Sequence, residues 1–155
     1  MTEVEIRPVG YDDPAAQQLV TAALADLGQR YGGPGDQTPV APTQFRPPEG
    51  GFFVAYLAGE GVGCGGWRGY AQDRAVAELK RMYVAPAARG RGVARRLLEA
   101  VEQAARQHGR TRMILECGDK QPEAVTLYRS RGYEPIPHFG YYKDAPGVIS
   151  LGRTL

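Results

Sequence analysis

The sequence predicts an α/β fold: a mixed, mostly antiparallel sheet of about seven strands with helices on both faces. Three observations predict it. Segments with apolar period two are interspersed with three segments of helical period. Three strand segments follow one another in mid-chain with no helix between them, and a helix, a strand and a further helix come after them. Consecutive strands pair antiparallel, whereas strands joined through a helix pair parallel, so both arrangements meet in one sheet. A chain of 155 residues has enough material for one core, and residues 1–155 are read as a single domain.

In order, TEVEIRPV alternates Val4, Ile6 and then Val9, the pattern of a strand. DDPAAQQLVTAALADLGQRY then offers Asp13 as an N-cap and Pro14 at the first helical position, with Leu19, Ala23, Leu24 and Leu27 on one face. Residues 32–50 carry repeated Gly and Pro without a period and read as a loop, with one short helix near Phe45. GFFVAYLA and GVGCGGWRGY form two strands, joined by a turn across Gly59, Glu60 and Gly61, and AVAELKRMYV forms a third that stops at Pro86. Val93, Leu97, Val101, Ala104 and Ala105 recur at helical spacing as far as His108, and Gly109 ends that helix. RMILEC is the next strand, Pro122 opens a third helix that Gly132 ends, and short strands around 133–136 and 148–155 complete the chain.

Composition narrows the function. The apolar share of 43%, the charged share of 23% and a net charge of +2 describe an ordinary globular protein with no global field for nucleic acid or membrane. MTEVEIRPVG has early acids and no apolar block, and no run approaches the ~18 residues a membrane helix needs, so a cytoplasmic location is expected. Cys64 and Cys117 lack metal-ligand spacing and allow one disulfide at most; His108 and His138 are too scattered for a metal cluster, and no metal is expected. Arg89, Arg91, Arg95, Arg96 and Arg106 raise the question of nucleic acid. Glu99 and Glu102 on the same helix argue against it.

The segment ARGRGVARRLLEA, Ala88 to Ala100, places two glycines among arginines between a strand and a long helix. Small residues there let the backbone approach a ligand, and the first helical turn leaves its N–H groups unpaired. Those donors and the helix dipole suit a phosphate, to which Arg89 and Arg91 can add charge-assisted hydrogen bonds. A Walker loop would need Gly-Lys-Ser/Thr, which is absent. A dinucleotide fingerprint would need a small residue where Arg95 stands.

The pattern that fits is Arg-x-x-Gly-x-Ala, RGRGVA, inside LKRMYVAPAARGRGVARRLLEAVEQAA. It resembles the pyrophosphate loop of the GNAT superfamily, the acyl-CoA-dependent N-acetyltransferases. EAVTLYRSRGYEPI further on resembles that superfamily's second motif, so the likeness is strong over residues 76–136. It implies acetyl-CoA as cosubstrate, with the backbone of Met82, Tyr83 and Val84 along the pantetheine arm. The N–H groups from Arg89 through Gly90, Arg91, Gly92 and Val93 to Ala94 would cradle the pyrophosphate. Gln121, Ala124 and Leu127 complete the implied cofactor wall; the family commonly has Asn at position 121, and glutamine's longer side chain still presents an amide.

Acetyl transfer to an amine needs a neutral nucleophile, a stabilised oxyanion and a proton for the departing thiolate. The resemblance implies Tyr128 as that acid, a phenol protonated at neutral pH. Glu78, ten residues of chain separating it from Arg89, matches the spacing of the catalytic glutamate in the superfamily's histone-acetylating members, and Glu116 is the alternative base. The strand holding Glu78 breaks period two, because Leu79 and Met82 both look like core positions; a bulge near Lys80 and Arg81 would reconcile them and splay the strand from its neighbour. Cys117 also invites an acyl-cysteine route, although no histidine is nearby in sequence.

The expected acceptor is a small-molecule or peptide primary amine, attacked directly in a ternary complex, and a homodimer stays open. Arg46 and Arg68 are candidates for an acceptor carboxylate, and Trp67, Tyr70, Tyr141 and Tyr142 for the pocket lining. The alternative is a non-catalytic acyl-CoA-binding sensor or interaction module on the same fold.

Overall fold

The computed structural model describes residues 3–155. Its elements are β1 (Val4–Pro8), α1 (Pro14–Tyr31), a 3-10 turn (Pro42–Phe45), β2 (Gly50–Leu57), β3 (Glu60–Tyr70), β4 (Asp73–Val84), a second 3-10 turn (Pro86–Ala88), α2 (Val93–Gln107), β5 (Arg112–Gly118), α3 (Pro122–Ser130), β6 (Glu134–Pro135) and β7 (Val148–Thr154). The seven strands form one sheet in the order β1-β2-β3-β4-β5-β7-β6. Only β4 and β5, linked through α2, run parallel; the other neighbours are antiparallel.

Each helix forms where its sequence says it should. Asp13 caps α1 by accepting from the Ala15 N–H at 2.9 Å, and Ala16, Leu19, Val20 and Ala23 give it a buried stripe. That stripe packs with Phe45, Phe52, Val54 and Cys64 on one face of the sheet. On the other face α2 buries Val93, Leu97, Leu98, Val101 and Ala105, and α3 contributes Tyr128 to the same core as Trp67, Leu79 and Leu115. Glu102 is buried too, accepting from the Tyr133 hydroxyl at 2.7 Å, so it is a core acceptor and not a surface counter-charge on α2. Its place four residues after Leu98 and three before Ala105 is the sequence signal for that burial.

The β2–β3 turn is one residue earlier than expected. Leu57 pairs with Glu60, leaving Ala58 and Gly59 as the turn, both with positive φ (52° and 83°). Two such residues make a type I′ turn, for which Asn-Gly is the favoured pair, and alanine is strained there. Ala58→Asn is therefore expected to stabilise the protein by roughly 0.5–1 kcal/mol. A urea unfolding midpoint no higher than that of the wild type would contradict this.

The bulge in β4 is present. The register with β3 slips between Cys64 opposite Tyr83 and Gly66 opposite Lys80, and Arg81 takes a left-handed φ of 61°. The extra residue lets Leu79 and Met82 pack on the same face. Parallel pairing of β4 with β5 is confined to Val76–Glu78 against Arg112–Ile114, while β5 continues to Gly118 against β7. Beyond Glu78 the two central strands part. That opening positions the site.

Candidate active site

A cavity of about 370 Å³ fills the parting of β4 and β5. Its walls are Leu79–Tyr83 of β4, Leu115–Gly118 of β5, the end of α1 with the following loop, Gln121 and Tyr128 of the α3 region, and Tyr142 and Pro146–Val148 leading into β7. Ala85 N–H donates to the Val62 carbonyl, so by the alternation of a strand the amide groups of Met82 and Val84 point away from β3, toward the opening. The Val84 carbonyl already accepts from Arg89 Nε at 3.0 Å. Arg89 is thus partly committed to the strand, which lessens its part as a free phosphate ligand, whereas Arg91 is exposed.

At the mouth of α2, Gly90 and Gly92 have φ of 79° and 76°, and Gly92 is the N-cap without any side-chain cap. A Cβ on Gly90 would meet nothing within 4 Å; one on Gly92 would meet only Arg95 Nη2, at 3.8 Å. Val93 is buried beneath the turn and Ala94 is half-buried. The result is an open turn presenting unpaired first-turn amides at a positive dipole end, which fits a pyrophosphate group. Gln121 Oε1 accepts from the Gly118 N–H at 3.1 Å, holding the start of α3 against the end of β5, and Ala124 and Leu127 pack on the core beside it.

Of the sequence-predicted acid–base candidates, Tyr128 and Glu116 reach the cavity, from opposite faces of the sheet. Tyr128 comes from the α2 and α3 side; it is buried, and burial first, then the nearby Cys117, pushes its phenol above the ordinary range. Among the described residues no group hydrogen-bonds its hydroxyl. Glu116 comes from the α1 side, where its Oε1 lies 3.4 Å from the Tyr142 N–H that donates to it and its Oε2 is buried without a partner. Desolvation raises its carboxyl above the usual value, partly opposed by the Tyr142 N–H and Lys80.

Glu78 is in a different situation. It is buried and bound to Arg68, whose Nε donates to Oε1 at 3.0 Å, and it does not line the cavity. Lys80, Arg81 and Asp36, which the sequence reading left unassigned, do line it. Asp36 accepts from Lys80 Nζ at 3.3 Å and from Arg81 Nη1, and these cations hold its carboxyl low despite its burial. The sequence hint of the trio is two adjacent cations inside a mostly apolar strand.

The remaining candidates separate. Tyr142 lines the cavity and its hydroxyl accepts from the Gln37 N–H at 2.6 Å; Tyr141 packs edge-on against it and is exposed. Trp67 is core, not pocket lining. Arg46 pairs with Asp12 on the surface, and Arg68 is held by Glu78, the Pro39 carbonyl and Gln44, so neither faces this cavity. Cys64 and Cys117 are both free thiols; burial pushes them up to about 12 and about 11, so neither is a ready thiolate. Among the described residues no three His, Cys, Asp or Glu side chains gather as a metal site, and no helix is long and apolar enough to cross a membrane.

The sequence model of the acetyltransferase (GNAT) family matches residues 17–133. The chain belongs to that family. As a GNAT protein it is an acyltransferase, and it is 35% identical over 142 residues to the IAA acetyltransferase of Azospirillum brasilense, covering 91% of each chain. Among solved structures, an acyl-CoA N-acyltransferase candidate from Klebsiella pneumoniae superposes with a TM-score of 0.81 at 27% identity, covering 98% of this chain and 97% of that one. A GNAT acetyltransferase from Elizabethkingia anophelis with acetyl-CoA bound shares the fold at a TM-score of 0.69 and 19% identity, covering 98% of each chain.

Proposed function

We propose that this GNAT protein transfers an acetyl group from acetyl-CoA to the primary amine of a small molecule or peptide, by direct attack with both substrates bound. The observation that carries the reading is the approach of Tyr128 and Glu116 to one cavity from opposite faces of the sheet, with the uncapped Gly92 turn following the end of the β4 strand that walls it. The residues fit the cosubstrate. The amides from Arg89 to Ala94 would hold its phosphates, the Met82 and Val84 backbone and Gln121 its pantetheine arm, and when bound it supplies the activated acyl thioester. Acetyl-CoA binding by calorimetry, followed by a screen of amine classes for CoA release, tests the function directly. Binding without release from any amine would overturn it.

Of the two carboxylates, Glu116 is the better base. A raised proton affinity suits it to take a proton from an ammonium, whereas Glu78 is bound to Arg68 and does not line the cavity. Glu116→Gln is expected to lower kcat/KM by about 10- to 50-fold near neutrality, and the deficit should shrink as pH rises and the acceptor is already neutral. The sign on stability is fixed by the same shift. A carboxyl whose proton is held more tightly when folded contributes stability below its unfolded value, and that contribution is lost as pH rises through the folded one. Above the ordinary carboxylate range, the wild type should therefore lose stability relative to Glu116→Gln. If Glu78→Gln alone removes the acidic limb of the rate profile, the role passes to Glu78.

Direct attack also predicts intersecting, not parallel, initial-rate plots. Cys117→Ala should leave turnover nearly unchanged, since its thiol stays protonated. An acetyl group trapped on Cys117 would replace this scheme with an acyl-enzyme.

A further inference from the structure

We propose that the protein carries a second anion site, for a phosphate-type oxyanion, at the end of the sheet opposite the glycine turn. A cavity of about 260 Å³ lies where β3 passes into β4, and Gln44, Glu49, Arg68, Tyr70, Arg74 and Arg110 are among its walls. The Gly90–Gly92 turn follows the other end of β4, so the two places lie a strand length apart.

Three arginines from three elements line this second cavity: Arg68 from β3, Arg74 from the start of β4, and Arg110 from the segment between α2 and β5. Arg110 is the anchor. Its side chain is only 7% exposed, its Nη1 donates to the Arg74 and Val76 carbonyls at 2.8 and 3.4 Å, and its guanidinium lies 5.4 Å from the centre of the Trp67 ring. Its Nε is buried with no partner, and Nη2 stands 3.8 Å from Glu49, too far for a hydrogen bond. A Cβ on Gly69 would lie 2.9 Å from Arg110 Nη2, so the glycine is what admits the guanidinium to the cavity wall.

Charge is left over. Glu78 is already held by Arg68, and Glu49, the carboxylate that lines the cavity, is 66% exposed. Arg74 is exposed and, among the described residues, its side chain has no hydrogen-bond or ion-pair partner. A buried guanidinium without a full counter-charge is costly, and an anion between the three arginines would offset that cost. A carboxylate is satisfied by one or two guanidinium forks, whereas a tetrahedral dianion accepts from donors arriving in three directions. The geometry therefore favours phosphate chemistry.

The test is a titration of isotope-labelled full-length protein with inorganic phosphate at fixed ionic strength, followed by amide resonances. Saturable shifts are expected at Gly69, Ala71 and Arg110, with a Kd of about 1 mM or tighter. Arg74→Gln, at an exposed position, should weaken these shifts at least ~10-fold while leaving any shifts at Gly90–Val93 unchanged. Arg110→Lys keeps the charge but loses the fork, and should weaken binding similarly if it folds. Shifts confined to Gly90–Val93, shifts still linear at about 10 mM, or equal affinity in Arg74→Gln would overturn the site. Acetate binding as tightly as phosphate would overturn the oxyanion assignment.

Discussion

Gly92→Glu is expected to lower acetyl-CoA affinity at least ~100-fold, which is ~2.7 kcal/mol. Gly92 caps α2 with φ of 76°, and the space beyond its Cα is open but for Arg95 Nη2 at 3.8 Å. In the free protein nothing would obstruct a side chain there. On the proposed reading that space belongs to the pyrophosphate, so a carboxylate placed in it repels the ligand and covers the first-turn amides. The left-handed backbone is itself a cost of roughly 1–2 kcal/mol for any other residue, paid in stability and not in selectivity for the ligand. Gly92→Ala separates the two effects, because it carries the backbone strain without the charge and should lose far less affinity. Calorimetry on folded Gly92→Glu protein showing wild-type affinity would remove the phosphates from this turn.

The turn and its neighbourhood were legible because their signals are local. A glycine between a strand and an apolar period marks a helix mouth whatever surrounds it, and the parity break between Leu79 and Met82 marked the bulge before any partner strand was known. What could not be read depended on register. Glu78 faces Arg68 because β3 and β4 are antiparallel with that pairing, and no spacing along one strand encodes its neighbour's identity. Asp36 sits in a Gly/Pro-rich loop without a period, so its place on Lys80 and Arg81 follows from how the loop folds back over the sheet. Trp67 was drawn to the pocket by its residue type, yet alternation along β3 turns it onto the α2 face, into the core. Single positions with long-range partners set the acid–base groups here, and these are what sequence pattern resolves least.

Tyr128→Phe should depress kcat by about 100-fold, close to 2.7 kcal/mol of barrier, with acetyl-CoA affinity changed less than ~3-fold. The ring belongs to the core formed by Leu98, Leu115 and Tyr133, and phenylalanine keeps that packing, so the fold is preserved. Only the hydroxyl is lost, and among the described residues it has no partner to leave behind. Burial keeps the phenol protonated across the working pH range, which makes it a fixed donor at the cavity wall. A phenol with raised proton affinity would be a weak acid toward an ordinary thiolate in water. The same dry surroundings push the neighbouring Cys117 thiol up to about 11, so a leaving sulfur in this cavity also holds a proton more tightly and the mismatch narrows. On the proposed reading Tyr128 would then donate a hydrogen bond as negative charge grows on that sulfur and give up its proton as the bond breaks, contributing in the transition state and little to ground-state binding. A loss in KM with kcat intact would make the hydroxyl a binding group instead. Unchanged turnover, with chemistry shown to be rate-limiting, would take Tyr128 out of the mechanism.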